Sequence, residues 1–214
     1  MPYYSKINTL FIHIPKTGGT SIEDYLKKKS PEQLRTRQGN NVFPINTHMR
    51  KYSLQHQTLM DIEKHKQLFS SIIFDKNLKI ISIVRNPYDR VISALKFNKL
   101  LNNQQLTSSN KKKIYNIIKD FVEAPYEKYD NHNRPQYQFL INNENQIDKR
   151  VTIYRTETLT QDLHHYGFTD YEGEESSPKY IHLFNKESIE LINKIYDLDF
   201  KFFNYSKKEI TQIV

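Results

Sequence analysis

With 214 residues, the chain is long enough for one sizeable hydrophobic core and has the size of one ordinary domain. Its formal net charge of +8 favours anionic partners, such as nucleotides, sulfated or phosphorylated compounds and acidic polysaccharides. The absence of cysteine excludes disulfides and thiolate metal sites, and the absence of an apolar run of about 18 residues excludes a transmembrane helix. Because no secretory signal pattern is present either, we expect a soluble, cytoplasmic protein.

Apolar residues alternate along the chain between the spacing of strands and the spacing of helices. Near-continuous apolar runs predict buried strands over residues 7–14, 78–84 and 151–154. Helical spacing predicts helices over 20–29, 57–69, 114–122, 156–165 and 186–198, and one more that begins at Asn86-Pro87. The segments predicted as loops are 31–47 (with a short strand near 41–46), 102–110, 124–135, 167–179 and an aromatic tail, 199–205. This order predicts an α/β fold: a single domain, 1–214, with a mainly parallel central sheet flanked by helices.

The segment from residue 10 to residue 22, Leu-Phe-Ile-His-Ile-Pro-Lys-Thr-Gly-Gly-Thr-Ser-Ile, joins the first predicted strand to the first predicted helix. Glycines allow backbone N–H groups to approach an anion, the helix N-terminus adds its dipole, and Lys16 adds a full positive charge. The segment therefore has the composition of a phosphate-binding turn. It is not a Walker A loop, because the spacing GxxxxGK[ST] is absent. The simpler alternative is an ordinary strand-to-helix turn with an exposed lysine.

The order Pro-Lys-Thr-Gly-Gly-Thr-Ser after a strand resembles the 5′-phosphosulfate loop of sulfotransferases that use 3′-phosphoadenosine 5′-phosphosulfate (PAPS). It is most similar to the branch that contains the carbohydrate O-sulfotransferases. The resemblance implies a sulfotransferase fold related to that of the P-loop NTPases. It also implies that this loop binds the 5′-phosphate of PAPS through residues Lys16, Thr17, Gly18, Gly19, Thr20 and Ser21.

A second motif follows the strand predicted over residues 78–84. The segment Val-Arg-Asn-Pro-Tyr-Asp-Arg-Val-Ile-Ser places Arg85 at the strand end and Ser93 in the next helix. An arginine can bind a phosphate through two parallel N–H bonds, and a serine can add a third. The segment resembles the 3′-phosphate motif of the same sulfotransferases, in which Arg85 and Ser93 would be the binding residues. Because Lys16 and Arg85 both follow predicted parallel strands, we expect one ligand to contact both.

Three further segments extend the resemblance over nearly the whole chain. His132 to Gln136 resembles the His-x-x-Pro-Gln signature of the same branch, which lies near the active-site cleft, and implies substrate contacts for His132, Arg134 and Gln136. Residues 154–163 resemble its Glu-x-Leu-x-x-Asp-Leu segment. Residues 195–205 resemble its C-terminal Leu-Tyr-x-x-Asp-Phe signature.

The resemblance implies transfer of a sulfuryl group from PAPS to an acceptor hydroxyl or amine, with adenosine 3′,5′-bisphosphate as product. Lys16 would stabilise the charge that develops on the bridging oxygen, and catalysis would consist mainly of positioning and charge stabilisation. The scheme needs no metal, and no metal is predicted. A carbohydrate, or another small hydroxyl compound, is the predicted acceptor. The oligomeric state cannot be read from the sequence.

A histidine is the expected base for an acceptor hydroxyl. His56 is the first candidate, because Leu-Gln-His-Gln-Thr-Leu stands just before a predicted helix and resembles a stretch near the catalytic cleft of related sequences. His48 is second and His132 third. His13, inside the first strand, is expected to pack or to form local hydrogen bonds.

Three other functions remain open at the level of the sequence. A small-molecule kinase with a P-loop would need Walker A spacing and carboxylates for Mg²⁺, and the first motif has neither. A non-catalytic protein that binds nucleotides or polysaccharides could retain the fold, although Lys16, Arg85 and Ser93 are all present. Binding of nucleic acid is the weakest alternative, since the basic residues are spread along the chain, and no nucleic-acid partner is predicted.

Overall fold

The computed structural model describes residues 3–30, 33–34, 54–64, 77–105, 107–165, 167–173 and 180–209. The chain divides into two compact units. The first contains residues 1–84 and 138–176, and the second contains residues 85–137 and 177–214. The prediction of a single domain over residues 1–214 stays a prediction.

The first unit contains a five-stranded sheet. Its strands are β1 (Tyr3–Tyr4), β2 (Thr9–Ile12), β3 (Gln33–Leu34), β4 (Lys79–Val84) and β5 (Val151–Arg155), in the order β3-β1-β2-β4-β5. The three longer strands are parallel, with Leu10 opposite Ile80 and Ile80 opposite Val151. The two-residue strands β1 and β3 add antiparallel pairs at one side. The predicted α/β fold with a mainly parallel sheet is confirmed.

The middle strand of the parallel part, β4, is buried on both faces. Ile81 and Ile83 point to one face and Ile80 and Val84 to the other, and all four are at most 3% exposed. A strand covered on both sides needs apolar residues at successive positions, which explains the continuous apolar run in the sequence.

Two helices cover one face of this sheet. These are α1 (Gly19–Lys29) and α5 (Leu159–His165). Ile22 and Leu26 of α1 and Leu163 of α5 belong to the same buried cluster as Phe11 and Ile81 of the sheet. The positions i and i+4 of α1 fall on one side of the helix, so this spacing gives the helix its buried face.

A third helix of the first unit, α2 (Leu59–Lys64), is capped by its own residues. The Thr58 N–H donates to Asp61 Oδ2 (3.2 Å), and the Asp61 N–H donates back to Thr58 Oγ1 (3.1 Å). This reciprocal pair satisfies helix-start N–H groups and fixes where α2 begins. The predicted helix over 57–69 is confirmed for residues 59–64, and its remainder lies outside the described residues, as does the strand predicted near 41–46.

The second unit is helical in the residues that the structure describes. Its helices are α3 (Pro87–Phe97), α4 (Lys111–Val122), α6 (Lys186–Ile195) and α7 (Asp197–Phe202). Asn86 caps α3 by accepting the Tyr88 N–H (3.1 Å), and proline at the first helical position suits a helix start. The four helices share one buried apolar cluster that includes Ile92, Ile118 and Ile192.

Several predicted boundaries were wrong. The strand predicted over 7–14 is shorter, because residues 5–7 form a 3₁₀ turn and Asn8 (φ 42°) reverses the chain between β1 and β2. The helix predicted over 186–198 stops at Ile195, where Tyr196 is buried and donates its hydroxyl to the Asn133 carbonyl (3.0 Å). The predicted tail 199–205 begins inside α7. Residues 156–158 are a 3₁₀ turn before α5 rather than its first turn.

No helix in the described ranges combines the length and the apolar character that crossing a membrane requires.

Candidate functional site

The turn between β2 and α1 has an unusual backbone. Lys16 has φ 68° and Gly18 has φ 86°, both in the left-handed region. A non-glycine residue in this region costs about 1–2 kcal/mol, so Lys16 is held there by its surroundings. Left-handed residues close together in a turn aim successive backbone N–H groups into one concave surface, which is suited to an anion. Helix α1 follows directly, and its N-cap, Gly18, has no side chain to occupy the first N–H groups.

Two threonines hold the shape of this turn. The Thr17 hydroxyl is fully buried and donates to the Ile14 carbonyl (2.9 Å). The Thr17 carbonyl in turn lies 2.7 Å from the Thr156 hydroxyl, which is also 3.0 Å from the Val84 carbonyl at the end of β4. Thr156 therefore ties the turn to the neighbouring strand. Because the Thr17 side chain serves the turn itself, its predicted contact with a phosphate depends on its backbone N–H.

Two buried ionisable side chains, His13 and Glu23, form a hydrogen-bonded pair next to the turn. His13 Nδ1 is 2.5 Å from Glu23 Oε1, and Gln55 Nε2 donates to the same oxygen (3.2 Å). Burial lowers the pKa of His13 to about 4, against the opposing effect of Glu23. Burial alone would raise the pKa of Glu23, but the hydrogen bond from His13 brings it below its ordinary value. These directions indicate a neutral imidazole that donates from Nδ1 to a carboxylate, as local hydrogen bonding of His13 was predicted.

The His13 ring explains why residue 19 is glycine. A Cβ atom built at Gly19 would come 2.4 Å from His13 Nε2 and 2.7 Å from its Cδ2. Such distances are far below van der Waals contact, so any side chain at position 19 would displace the ring or the turn. Gly18 is different, because its nearest neighbour would be Thr156 Cγ2 at 3.7 Å and its positive φ is what favours glycine there.

The remaining residues of the turn reach its outer side. Thr20 is exposed and Lys16 is half-buried. The Ser21 hydroxyl lies 2.7 Å from the hydroxyl of Tyr171, which is 2% exposed and packs edge-on against Tyr25 of α1. Residues 167–173, the described part of the loop predicted over 167–179, contain no helix or strand, and the Tyr171 ring within them is buried against α1. The Tyr171 ring packs against Tyr25 of α1, where burial of the aromatic ring is favourable.

Of the predicted bases in the first unit, His56 is described and His48 lies outside the described residues. His56 ends a 3₁₀ turn (Leu54–His56), is 8% exposed and stands edge-on to His13, with ring centroids 5.3 Å apart. His13 in turn touches the turn at Gly19. The first unit thus brings together the turn between β2 and α1, His13, Glu23, His56 and Thr156.

In the second unit, the backbone of Arg85 is bound by a side chain that is 51 residues away in sequence. The Arg85 N–H donates to Gln136 Oε1 (2.9 Å), and Gln136 Nε2 donates to the Arg85 carbonyl (2.8 Å). Gln136 is fully buried, and its own N–H donates to Asp199 Oδ2 (2.9 Å). Arg85 itself is 9% exposed. Ser93, its predicted partner, is half-buried on α3.

His132 has a defined proton position. Its Nδ1 lies 2.7 Å from the Tyr129 carbonyl, which can only accept, so Nδ1 carries a proton and neutral His132 has its lone pair on Nε2. The ring stacks on Phe97 with centroids 4.9 Å apart and planes 9° apart. Arg134 lies over the Tyr126 ring (4.5 Å) and donates from Nε to Asn131 Oδ1 (2.9 Å).

Three residues important to these sites were not assigned from the sequence. In the sequence, Thr156 and Asp199 belong only to segments that resemble family signatures, and Glu23 lies within the first predicted helix, so no role is predicted for any of the three. The carboxyl groups could have been noticed because they stand among apolar residues that become buried. The partners of Asp199 are 62 and 63 residues away, and no local pattern identifies them.

Residues 5–206, nearly the whole chain, match the model of one protein family, which is described as the sulfotransferase family. The matched range includes the turn at Lys16, the segment after β4 and the region around Asp199. No curated protein and no solved structure matches the chain significantly.

Proposed function

Because the chain belongs to the sulfotransferase family, we propose that it transfers a sulfuryl group from PAPS to an acceptor hydroxyl or amine and releases adenosine 3′,5′-bisphosphate. The observation that supports this donor best is the turn between β2 and α1. Its left-handed Lys16 and Gly18 stand directly before the N-terminus of an 11-residue helix. That combination suits the 5′-phosphate of a nucleotide.

In the proposed reaction, the acceptor oxygen forms a bond to sulfur as the bond from sulfur to the bridging oxygen breaks. The electron pair of the broken bond stays on the 5′-phosphate, and Lys16 stabilises the charge that accumulates there. Backbone N–H groups of residues 17–20 hold the phosphate, since the Ser21 N–H donates to the Gly18 carbonyl (3.2 Å), and the hydroxyls of Thr20 and Ser21 add donors. The rate enhancement comes from positioning the reactants and from a positive charge that is in place before the reaction.

Recognition of the 3′-phosphate is assigned to Arg85 and Ser93. The motif Arg-Asn-Pro-x-Asp-Arg-x-x-Ser supports this assignment, together with the fixed backbone of Arg85. The fixed backbone sets where the Arg85 side chain starts, and its planar guanidinium can bind a phosphate through two parallel bonds. This contact would distinguish PAPS from ATP, which has no 3′-phosphate.

The acceptor proton is proposed to pass to His56. Its ring stands against His13, which touches the phosphate turn. His13 itself is a poor base, because its pKa is about 4 and Nδ1 is bonded to Glu23. His48 remains the second candidate. His132, with its acceptor nitrogen at Nε2, is the third candidate and is also proposed to orient the acceptor together with Arg134.

A saccharide is the proposed acceptor, with another small hydroxyl compound as the alternative. The net charge of +8 suits an acidic sugar. Arg134 over the Tyr126 ring offers a positive group beside an aromatic face, and such surfaces suit sugar rings that carry anionic groups.

The decisive experiment is calorimetric titration of the wild type and Arg85→Ala with adenosine 3′,5′-bisphosphate, ADP and ATP, each without and with Mg²⁺. We expect metal-independent binding of the bisphosphate that weakens at least tenfold in Arg85→Ala (about 1.4 kcal/mol). An acceptor screen with labelled PAPS then tests transfer, and His56→Ala should bind nucleotide normally while transfer is lost. Preference for ATP with Mg²⁺ would instead indicate a kinase, and absence of nucleotide binding would refute the proposed donor.

A further inference from the structure

Both polar atoms of the Gln136 side chain are already hydrogen-bonded within the protein, so this side chain is not placed to contact the substrate that accepts the sulfuryl group. It is fully buried, and both polar atoms of its amide bond the backbone of one residue, Arg85. Strand β4 ends at Val84 and α3 begins at Pro87, so Arg85 stands between two regular elements. The Gln136 amide thus supplies the paired donor and acceptor that a neighbouring strand would otherwise offer.

The Asp199 side chain in turn binds the backbone of the segment that carries Gln136. Its two carboxylate oxygens accept from successive backbone N–H groups, Oδ2 from Gln136 (2.9 Å) and Oδ1 from Tyr137 (2.8 Å). Asp199 is fully buried. Two bonds from one planar group to two adjacent amides fix both the position and the direction of the segment that carries Gln136.

The buried charge of Asp199 is balanced by Arg90. Arg90 is 1% exposed, donates from Nη2 to the His132 carbonyl (3.3 Å) and interacts electrostatically with Asp199. Burial raises the pKa of Asp199 to about 6, while Arg90 and the amide N–H groups act against this rise. A buried carboxylate of this kind is costly to keep, and a hydrogen-bonded role for both of its oxygens gives it a structural reason.

We propose that Gln136 and Asp199 are positioning residues for Arg85, so that recognition of the 3′-phosphate depends on a relay from Asp199 through Gln136 to the Arg85 backbone. This inference rests on the proposed function, because it assumes that Arg85 binds the 3′-phosphate. It replaces the contact between Gln136 and the acceptor that the sequence suggested.

The test compares two ligands that differ only in the 3′-phosphate, adenosine 3′,5′-bisphosphate and adenosine 5′-monophosphate. In the wild type, the ratio of their Kd values measures the contribution of the 3′-phosphate. Gln136→Met keeps the length of the side chain and removes both bonds to Arg85, together with the longer bond from Nε2 to Asp199 Oδ2 (3.4 Å). We expect it to weaken binding of the bisphosphate about 10-fold to 100-fold, the usual effect of losing hydrogen bonds that support a charged contact, and to leave the monophosphate within about twofold.

A double-mutant cycle separates positioning from a general loss of structure. In the Arg85→Ala background, Gln136→Met should change the affinity for the bisphosphate less than twofold, because the residue that it positions is already absent. Equal weakening of both ligands, or additive effects in the double variant, would overturn the inference. Asn193→Leu is the matched control, since it removes an amide of the same unit whose bonds go to Tyr88 and Lys208.

If Gln136→Met does not fold, Asp199→Asn provides the same test with no change of shape. Replacing one carboxylate oxygen by an NH₂ group places a donor against a backbone N–H and so breaks one of the two amide bonds. We again expect a selective loss for the bisphosphate. A wild type that does not prefer the bisphosphate would refute the proposed donor site. A preference that disappears in Arg85→Ala but persists in both Gln136→Met and Asp199→Asn would refute only the positioning role.

Discussion

The turn between β2 and α1 and the backbone of Arg85 are held in place by different kinds of interaction. The turn is built partly from nearby residues, because His13 precedes it and Glu23 follows it by one helical turn, although Thr156 and Tyr171 also bond it from far along the chain. Arg85 depends on Gln136 and Asp199, which are separated from their partners by 51 and 63 residues. The turn also carries backbone strain at Lys16, whereas Arg85 carries a buried network of polar side chains. Backbone strain at the turn and long-range hydrogen bonding at Arg85 are thus two different ways to hold a group in a position suited to an anion.

The largest expected effect is that of Lys16→Ala. Removal of a charge that acts on the developing negative charge should lower the rate of transfer about 100-fold to 1,000-fold. Nucleotide affinity should change only a few-fold, because the backbone N–H groups remain. Single-turnover measurements with PAPS and a saccharide acceptor test this result. Lys28→Ala, on the exposed side of α1, is the control.

Lys16→Gly sharpens the same comparison. Glycine adopts φ 68° without the cost that any other residue pays, so Lys16→Gly should be about 1 kcal/mol more stable than Lys16→Ala. Its transfer rate should be as low as that of Lys16→Ala. A glycine variant that keeps wild-type turnover would show that the strained lysine is there for another reason.

Gly19→Ala tests the support of the turn by His13. Helix propensity alone predicts that alanine stabilises α1 by about 1 kcal/mol. The structure predicts the opposite, a loss of about 1–3 kcal/mol, because the new Cβ would lie 2.4 Å from His13 Nε2. Denaturant unfolding measures the change, and calorimetry should show at least tenfold weaker nucleotide binding.

Two variants complete that experiment. Gly167→Ala has a positive φ of 90° and nothing within 4 Å of the added atom, so it should cost stability without changing nucleotide affinity. The double variant His13→Ala with Gly19→Ala should recover part of the affinity, because the clash is removed. If Gly19→Ala binds nucleotide as well as the wild type, His13 does not set the shape of the turn.

The same contrast explains what the sequence could predict. Each of the three parallel strands, each helix and the turn after β2 follows from apolar spacing, or from glycines and Lys16, within a window of about 15 residues, so local patterns find them. The two-residue strands β1 and β3 carry no such pattern and were not predicted. The break of the last helix at Tyr196 depends on a hydrogen bond to Asn133, 63 residues away. The sequence predicts a contact between Gln136 and the substrate, because the family signature around it lies near the active-site cleft. The burial of Gln136 is a property of the folded chain and cannot be read from that signature.

Thr156→Val should have a smaller effect than Gly19→Ala. Valine keeps the volume but removes the hydroxyl that bonds the Thr17 and Val84 carbonyls, leaving both without this donor. We expect a loss of about 1–2 kcal/mol in unfolding free energy and several-fold weaker nucleotide binding. Thr158→Val, whose exposed hydroxyl bonds Asp162, should change neither quantity appreciably.

The last expected effect is the dependence of stability on pH through His13. Its pKa in the folded state is about 4, below the ordinary value of 6.5, so the unfolded chain takes up this proton first as the pH falls. The contribution of neutral His13 is fully present above pH 6.5 and is lost progressively as the pH falls from 6.5 to 4. The stability difference between the wild type and His13→Asn should therefore shrink over this range. If the difference grows instead, His13 is protonated in the folded state and pairs with Glu23 as an ion, and the turn would then be supported by charge rather than by a neutral hydrogen bond.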